Sequence, residues 1–179
     1  MTKENEEILS LSREVGDLLR QHGWYLVTAE SCTGGLVGNW ITDIPGSSDY
    51  YLGGVIAYAN EVKQALLGVS ASSLAQFGAV SPEVAREMAS GIRHLFSQKF
   101  PIEKLVGIGV TGVAGPGGGT PQKPVGLVWI AVEAPQVQRV ERFLWQGDRR
   151  QNKAFSAYRA LSLLKEELLA WEESTHGKR

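Results

Sequence analysis

Apolar positions along this chain switch between a helical rhythm and short continuous runs, and their order sets the expected fold. From residue 3 to 22, Ile8, Leu11, Val15, Leu18 and Leu19 recur at helical spacing, with Gly23 placed to stop the helix. Trp24-Tyr25-Leu26-Val27 is short, aromatic and β-branched, the pattern of a buried strand. Leu36 to Ile41 suits a short helix over about 33 to 43, and Ile44 to Asp49 is a loop by composition. Tyr50 to Ala59 forms a second strand, where Gly53-Gly54 marks a bulge or a close backbone approach.

Asn60 then reads as the cap of a short helix to Leu67, and a helical piece follows at 72 to 77. Ser81-Pro82-Glu83 opens a long helix through Ser97, with a capping serine, proline in first position and acid in the first turn. Val84, Met88, Ile92 and Leu95 form its apolar face. A buried strand spans 105 to 110, strands follow at 125 to 133 and 138 to 145, and a last helix runs from Asp148 to Glu172. Its Tyr158, Leu161, Leu164 and Leu168 are expected to face inward. This alternation predicts an α/β fold, a three-layer α/β/α sandwich with a mixed sheet. It reads as a single domain over 1–179, with a core from about 6 to 172 and a frayed tail at 174–179.

Composition narrows the function classes. With 43% hydrophobic and 21% charged residues, the 179-residue chain can bury roughly two-thirds of its unfolded surface. A net charge of −1 gives no electrostatic footprint for nucleic acid, and none is expected as a partner. No apolar run approaches the roughly 18 residues of a membrane span, and Thr2-Lys3-Glu4-Asn5-Glu6-Glu7 is too polar for a signal peptide. The lone Cys32 excludes an internal disulfide and fits a cytoplasmic protein. His22, His94 and His176 stand at no metal-ligand spacing, so no metal is expected and any hydrolysis would do without a histidine base.

Candidate chemistry begins at the first strand's end, where Thr28-Ala29-Glu30-Ser31-Cys32-Thr33-Gly34-Gly35 places hydroxyls at the mouth of a helix. Ser31 and Thr33 could each be simple N-caps. Three later places depart from local rules. Lys63 falls in the first turn of a helix, against the dipole, where partial burial would help it lose its proton and serve a serine as base. Tyr58, at the end of the preceding strand, could enter the same site; the plain alternative is a solvated lysine on a surface helix. The segment Gly112 to Pro124 is rich in glycine and proline, matches neither a Walker loop nor a dinucleotide fingerprint, and suits either a ligand loop or a stiff turn. Arg149 and Arg150 occupy the first turn after Asp148, which an anion such as phosphate would compensate, or solvent would.

The strand-one motif, Gly54-Val55-Ile56-Ala57-Tyr58-Ala59-Asn60-Glu61-Val62-Lys63, Gly78-Ala79-Val80-Ser81, Thr111 to Pro121 and Gly147-Asp148-Arg149 together resemble the CinA C-terminal domain family. The resemblance covers about residues 6 to 170. It implies a nicotinamide-nucleotide amidase, hydrolysing nicotinamide mononucleotide to nicotinate mononucleotide and ammonia without metal or cofactor. It implies Ser31 as nucleophile with Lys63 and Tyr58 as its partners, the proton passing to Lys63 directly or through Tyr58. On that reading, amides near Thr33 and Gly34 face the oxyanion, and Glu30 and Thr111 are orienting groups. The loop containing Gly112, Gly115, Gly117 and Gly118 wraps the ribose or phosphate, and Arg149 or Lys123 holds the phosphate. Many relatives carry a further domain resembling molybdopterin-binding proteins, so this chain looks like the stand-alone form.

Ala59 stands where the family commonly has serine, and Arg150-Gln151-Asn152-Lys153 replaces a stretch that often carries further charge. Either change could alter the pocket. Two other functions stay open: a non-catalytic nucleotide- or protein-binding module linked to competence or DNA damage, and an amidase for a different small amide. A homodimer is the default expectation for such an enzyme.

Overall fold

A five-stranded sheet in the order β2-β1-β3-β4-β5 divides the molecule into two helical layers. The computed structural model describes residues 3–135 and 137–176. The strands are β1 (Tyr25–Glu30), β2 (Tyr51–Ile56), β3 (Leu105–Gly112), β4 (Leu127–Ala134) and β5 (Val137–Leu144). β2, β1 and β3 run parallel, while β4 and β5 complete an antiparallel meander. The expected mixed α/β/α sandwich is thus the observed architecture.

Helices α1 (Lys3–His22), α2 (Leu36–Thr42) and α6 (Arg149–His176) cover one face. There Leu11, Val15, Leu19, Val37, Ile41, Leu161, Leu164 and Leu168 bury against Leu26, Ile108, Val110, Ile130 and Val132. Helices α3 (Asn60–Leu67), α4 (Ala71–Phe77) and α5 (Pro82–Ser97) occupy the other face, with Val84, Met88 and Ile92 packed on Val27, Ala29 and Leu105. Alternation along β3 explains the pairing of layers, since its valines and isoleucine point to the first face and Gly107 and Gly109 to the second. A Cβ at either glycine would lie 2.3 Å from a backbone carbonyl of α5, so the glycines let that helix sit directly on the sheet. The Arg93 guanidinium then ties α5 to the sheet, bonding Glu133 at 2.6 Å and the Leu105 carbonyl at 2.8 Å.

Several sequence expectations are corrected. β1 begins at Tyr25 rather than Trp24 and extends to Glu30, and β2 ends at Ile56, so Tyr58 and Ala59 lie in the following loop. The irregularity expected at Gly53-Gly54 is present, as a register shift between Leu26 and Val27 opposite Tyr51 and Gly53. Of the α6 residues expected to face inward, Leu161, Leu164 and Leu168 are buried, but Tyr158 is 40% exposed and Ala157 takes the buried position beside it. Helix α6 runs to His176, and residues 177–179 of the expected frayed tail lie outside the described residues. No helix among the described residues is long and apolar enough to cross a membrane.

Candidate active site

The parallel strands β1, β2 and β3 all end on one side of the sheet, where ligands of open α/β sheets bind. Ser31 follows β1 directly and keeps the ladder going, its amide donating to the Val110 carbonyl at 2.9 Å. Beyond it the chain turns through Gly34 and Gly35, both at positive φ, and Gly35 caps α2. Neither Ser31 nor Thr33 is the helix cap, which corrects the simplest reading of those hydroxyls.

Glu30 organises this turn. Its carboxylate accepts from the amides of Gly35 (3.0 Å), Val37 (3.1 Å) and Gly38 (2.9 Å), an anion set against the positive end of α2. It is 1% exposed and directed into the helix, so the structure gives it the turn that carries Ser31 rather than a face on the cavity. The same bonds occupy the α2 amides expected to face an oxyanion. The Ser31 and Gly34 amides also have backbone acceptors, which leaves those of Cys32 and Thr33 without an acceptor among the described residues.

Lys63 Nζ stands 3.1 Å from Ser31 Oγ and 3.2 Å from the Tyr58 carbonyl. The cap of α3 is Ala59, not Asn60, so Lys63 is the fourth helical residue and its amide bonds the Ala59 carbonyl. One turn apart, Lys63 and Leu67 share the buried face of α3, and Lys63 is 1% exposed. Burial pushes its ammonium below the usual lysine range, against smaller opposing effects of Cys32 and Glu61. Desolvation, more than the helix dipole, is the physical cause. The neighbouring Cys32 thiol moves the opposite way, pushed up to about 12 by burial, with the Glu30 charge adding to the effect. A thiol in that state is a poor nucleophile.

Around this pair lies a cavity of about 210 Å³, lined by Ser31, Cys32, Tyr58, Asn60, Lys63, Ala79, Val80, Thr111, Gly112, Ala114 and Arg149. A larger groove between α3 and α5, about 500 Å³, includes Leu66, Ser90 and His94 but none of these groups. Thr111 is buried and donates to the Ala79 carbonyl at 2.7 Å, fixing the loop before α5 against β3. Asp148 and Gln151 form a reciprocal capping pair at 2.8 and 2.9 Å that starts α6, so Arg149 projects from its first position. Arg149 donates to the Gly115 carbonyl at 2.6 Å and to the Tyr58 hydroxyl at 2.7 Å, bridging the two loops that flank the cavity.

Not every candidate gathers here. The Tyr58 hydroxyl meets Arg149, and it is the Tyr58 carbonyl that Lys63 contacts. Gly115 enters through its carbonyl, while Gly117 and Gly118 lie outside the cavity lining. Thr33 is fully buried with its hydroxyl unpaired, and Gly34 lies against Lys153 instead of the cavity. Lys123 bonds the Phe77 carbonyl and does not reach the cavity. Two asparagines were not singled out as site residues by the sequence. Asn60, read as a cap, lines the cavity. Asn152 accepts from the Gly147 amide and donates to the Ala114 carbonyl at 3.0 Å, anchoring the glycine-rich loop to α6. Only its place one turn into a helix, where a buried amide would be unexpected, could have flagged it.

Fold and site define a class: an open mixed-sheet α/β domain with a buried serine–lysine pair at the ends of its parallel strands. The chain belongs to the CinA C-terminal domain family, whose family model matches residues 8–168. It is 49% identical over 164 residues to a CinA-like protein of Gloeothece citriformis, covering 89% of this chain and 38% of that protein. Against a CinA-like protein of Gemmatimonas aurantiaca the identity is 51% over 140 residues, covering 78% and 31%. The chain therefore spans about a third of the length of these curated relatives. Among solved structures, the competence damage-inducible protein A (ComA) of Klebsiella pneumoniae superposes with a TM-score of 0.85 at 35% identity, covering 92% of this chain and 98% of that one. The competence/damage inducible protein CihA of Agrobacterium tumefaciens gives 0.81 at 35% identity, covering 88% and 93%.

Proposed function

We propose that this domain hydrolyses the carboxamide of nicotinamide mononucleotide, releasing ammonia and nicotinate mononucleotide. One observation carries the reading: a buried lysine, its charge disfavoured, within 3.1 Å of a serine hydroxyl at the floor of a cavity. Ser31 Oγ attacks the amide carbon as its proton passes to neutral Lys63 Nζ. The tetrahedral oxyanion faces the amide of Cys32, the residue beside Ser31 in the cavity lining, a stabilisation of roughly 3 kcal/mol for a well-placed donor. Collapse breaks the C–N bond while Lys63 returns the proton to the departing ammonia. Water then attacks the acyl-serine ester, giving one proton to Lys63 and restoring Ser31. Direct contact between Lys63 and Ser31 favours direct transfer over a relay through the Tyr58 hydroxyl.

The cavity supports a substrate with a small reacting end. At about 210 Å³ it is below the about 300–1,000 Å³ typical of sites that enclose a whole ligand, so the base enters first and the phosphate stays at the rim beside Arg149. The test is ammonia release from nicotinamide mononucleotide by wild type, Ser31→Ala and Lys63→Ala. Activity confined to wild type supports the reading. Binding without ammonia release would point to a binding module, and ammonia from other amides alone would move the substrate.

A further inference from the structure

Every hydroxyl, amine and guanidinium side chain lining the cavity already has a protein partner: Ser31 with Lys63, Thr111 with Ala79, and Tyr58 with Arg149. Asn60 does not. It is exposed, and its side chain makes no hydrogen bond among the described residues. It also has no structural task as a cap, because Ala59 holds that position through its backbone. A carboxamide that lines this cavity with neither a hydrogen-bond partner nor a capping task is available to a ligand.

Its place on α3 decides which part of the ligand it meets. Asn60 and Lys63 are three residues apart, on one face of the helix, with a rise of about 4.5 Å between them. Lys63 is the buried end of that face and Asn60 the exposed end, so the line from one to the other runs from the reacting carboxamide toward the rim. In a ribonucleotide bound base first, the pyridine ring spans this distance and the sugar follows. An asparagine presents a donor and an acceptor side by side, which suits vicinal hydroxyls that each donate and accept.

Resting on the amidase reading above, we propose that Asn60 is a specificity-determining residue that hydrogen-bonds the ribose hydroxyls of the nucleotide. It selects ribosylated amides over free amides and over sugars lacking those hydroxyls. Because it binds a part of the substrate that does not react, it acts on ground state and transition state alike, and its loss appears in KM rather than kcat.

The test uses calorimetric titration of the full chain carrying Ser31→Ala, with and without Asn60→Ala. The probes are nicotinamide mononucleotide and its analogue lacking the 2′- and 3′-hydroxyls. With Asn60 present, loss of the hydroxyls weakens binding by about tenfold; in the double variant the difference falls below about threefold. In parallel, Asn60→Ala alone raises KM for the mononucleotide by about tenfold with kcat near wild type. Equal discrimination with and without Asn60, while wild type still releases ammonia, overturns this role and leaves the amidase reading standing. No binding of the mononucleotide, with no ammonia from wild type, overturns both.

Discussion

Lys63 Nζ lies 3.1 Å from Ser31 Oγ, although 32 residues separate them in sequence and they reach the site from different layers of the fold. The contact forms because β1 and β2 are parallel neighbours, so the residues after both strands emerge at the same end of the sheet. A pair this close acts as a unit. Ser31→Ala and Lys63→Ala should each lower kcat on nicotinamide mononucleotide by at least about 10³-fold, and the double variant should be no worse than the poorer single one. Steady-state ammonia release on variants of unchanged circular dichroism checks this; additive losses would mean two independent roles.

On the proposed mechanism, Lys63 also carries a pH signature. Burial lowers its proton affinity, and the neutral amine is the active form, so kcat/KM rises with pH through a midpoint below the ordinary lysine value of about 10.4. The stability effect has the same direction. Between the folded and unfolded values the unfolded chain holds more protons, so Lys63 makes stability rise with pH in that window and flat above it. Lys63→Met, which keeps the buried stem, should abolish the activity and flatten that part of the stability curve in urea titrations across pH.

Cys32 adjoins Ser31 and lines the same cavity, yet burial pushes its thiol up to about 12. Cys32→Ser should hold kcat/KM within about threefold of wild type, and the native protein should resist alkylation at neutral pH. Loss of activity comparable to that of Ser31→Ala would transfer the nucleophile's role.

Glu30 stabilises the turn from a distance that no short motif encodes. Glu30→Ala leaves the Gly35, Val37 and Gly38 amides without their acceptor, two of these bonds being buried. Unfolding free energy should fall by about 3 kcal/mol, read as a lower urea midpoint at unchanged slope. Glu30→Gln, which retains an acceptor oxygen, should lose about half as much. A variant as stable as wild type would show that the turn holds itself.

These residues mark how far the sequence could be read. Strand and helix order were legible because each element is short, strongly apolar on its buried side and bounded by glycine, proline or a cap, as at Gly23 and Ser81-Pro82. Lys63 stood out because a cation in a first turn is locally unfavourable. What remained hidden depended on backbone geometry or on contacts distant in sequence. Asn60 looked like a cap because asparagine favours that position, yet the chain entered α3 one residue earlier. Glu30 looked like a ligand group because its three partners lie across a turn. The glycines at 117 and 118 looked available to a ligand, but the loop lines the cavity through Gly112 and Ala114 and meets Arg149 at the Gly115 carbonyl.

Arg149 supplies the last prediction. Its guanidinium has five donors and spends two on the Gly115 carbonyl and the Tyr58 hydroxyl, which fix its head at the rim and leave three for an anion. Lys123, the other candidate for the phosphate, has its ammonium against the Phe77 carbonyl and lies outside the cavity lining. Charge-assisted bonds to phosphate contribute about 1.5–3 kcal/mol, so Arg149→Ala should raise KM for nicotinamide mononucleotide by roughly 10- to 100-fold. It should leave turnover of the riboside lacking the phosphate nearly unchanged, so that preference for the phosphorylated substrate collapses. Lys123→Ala should leave both constants within about threefold of wild type, since its bond secures the loop and not the substrate. Kinetics of the two variants on the two substrates decide the matter: a phosphate preference that survives Arg149→Ala and disappears in Lys123→Ala would move the phosphate to the other side of the glycine-rich loop.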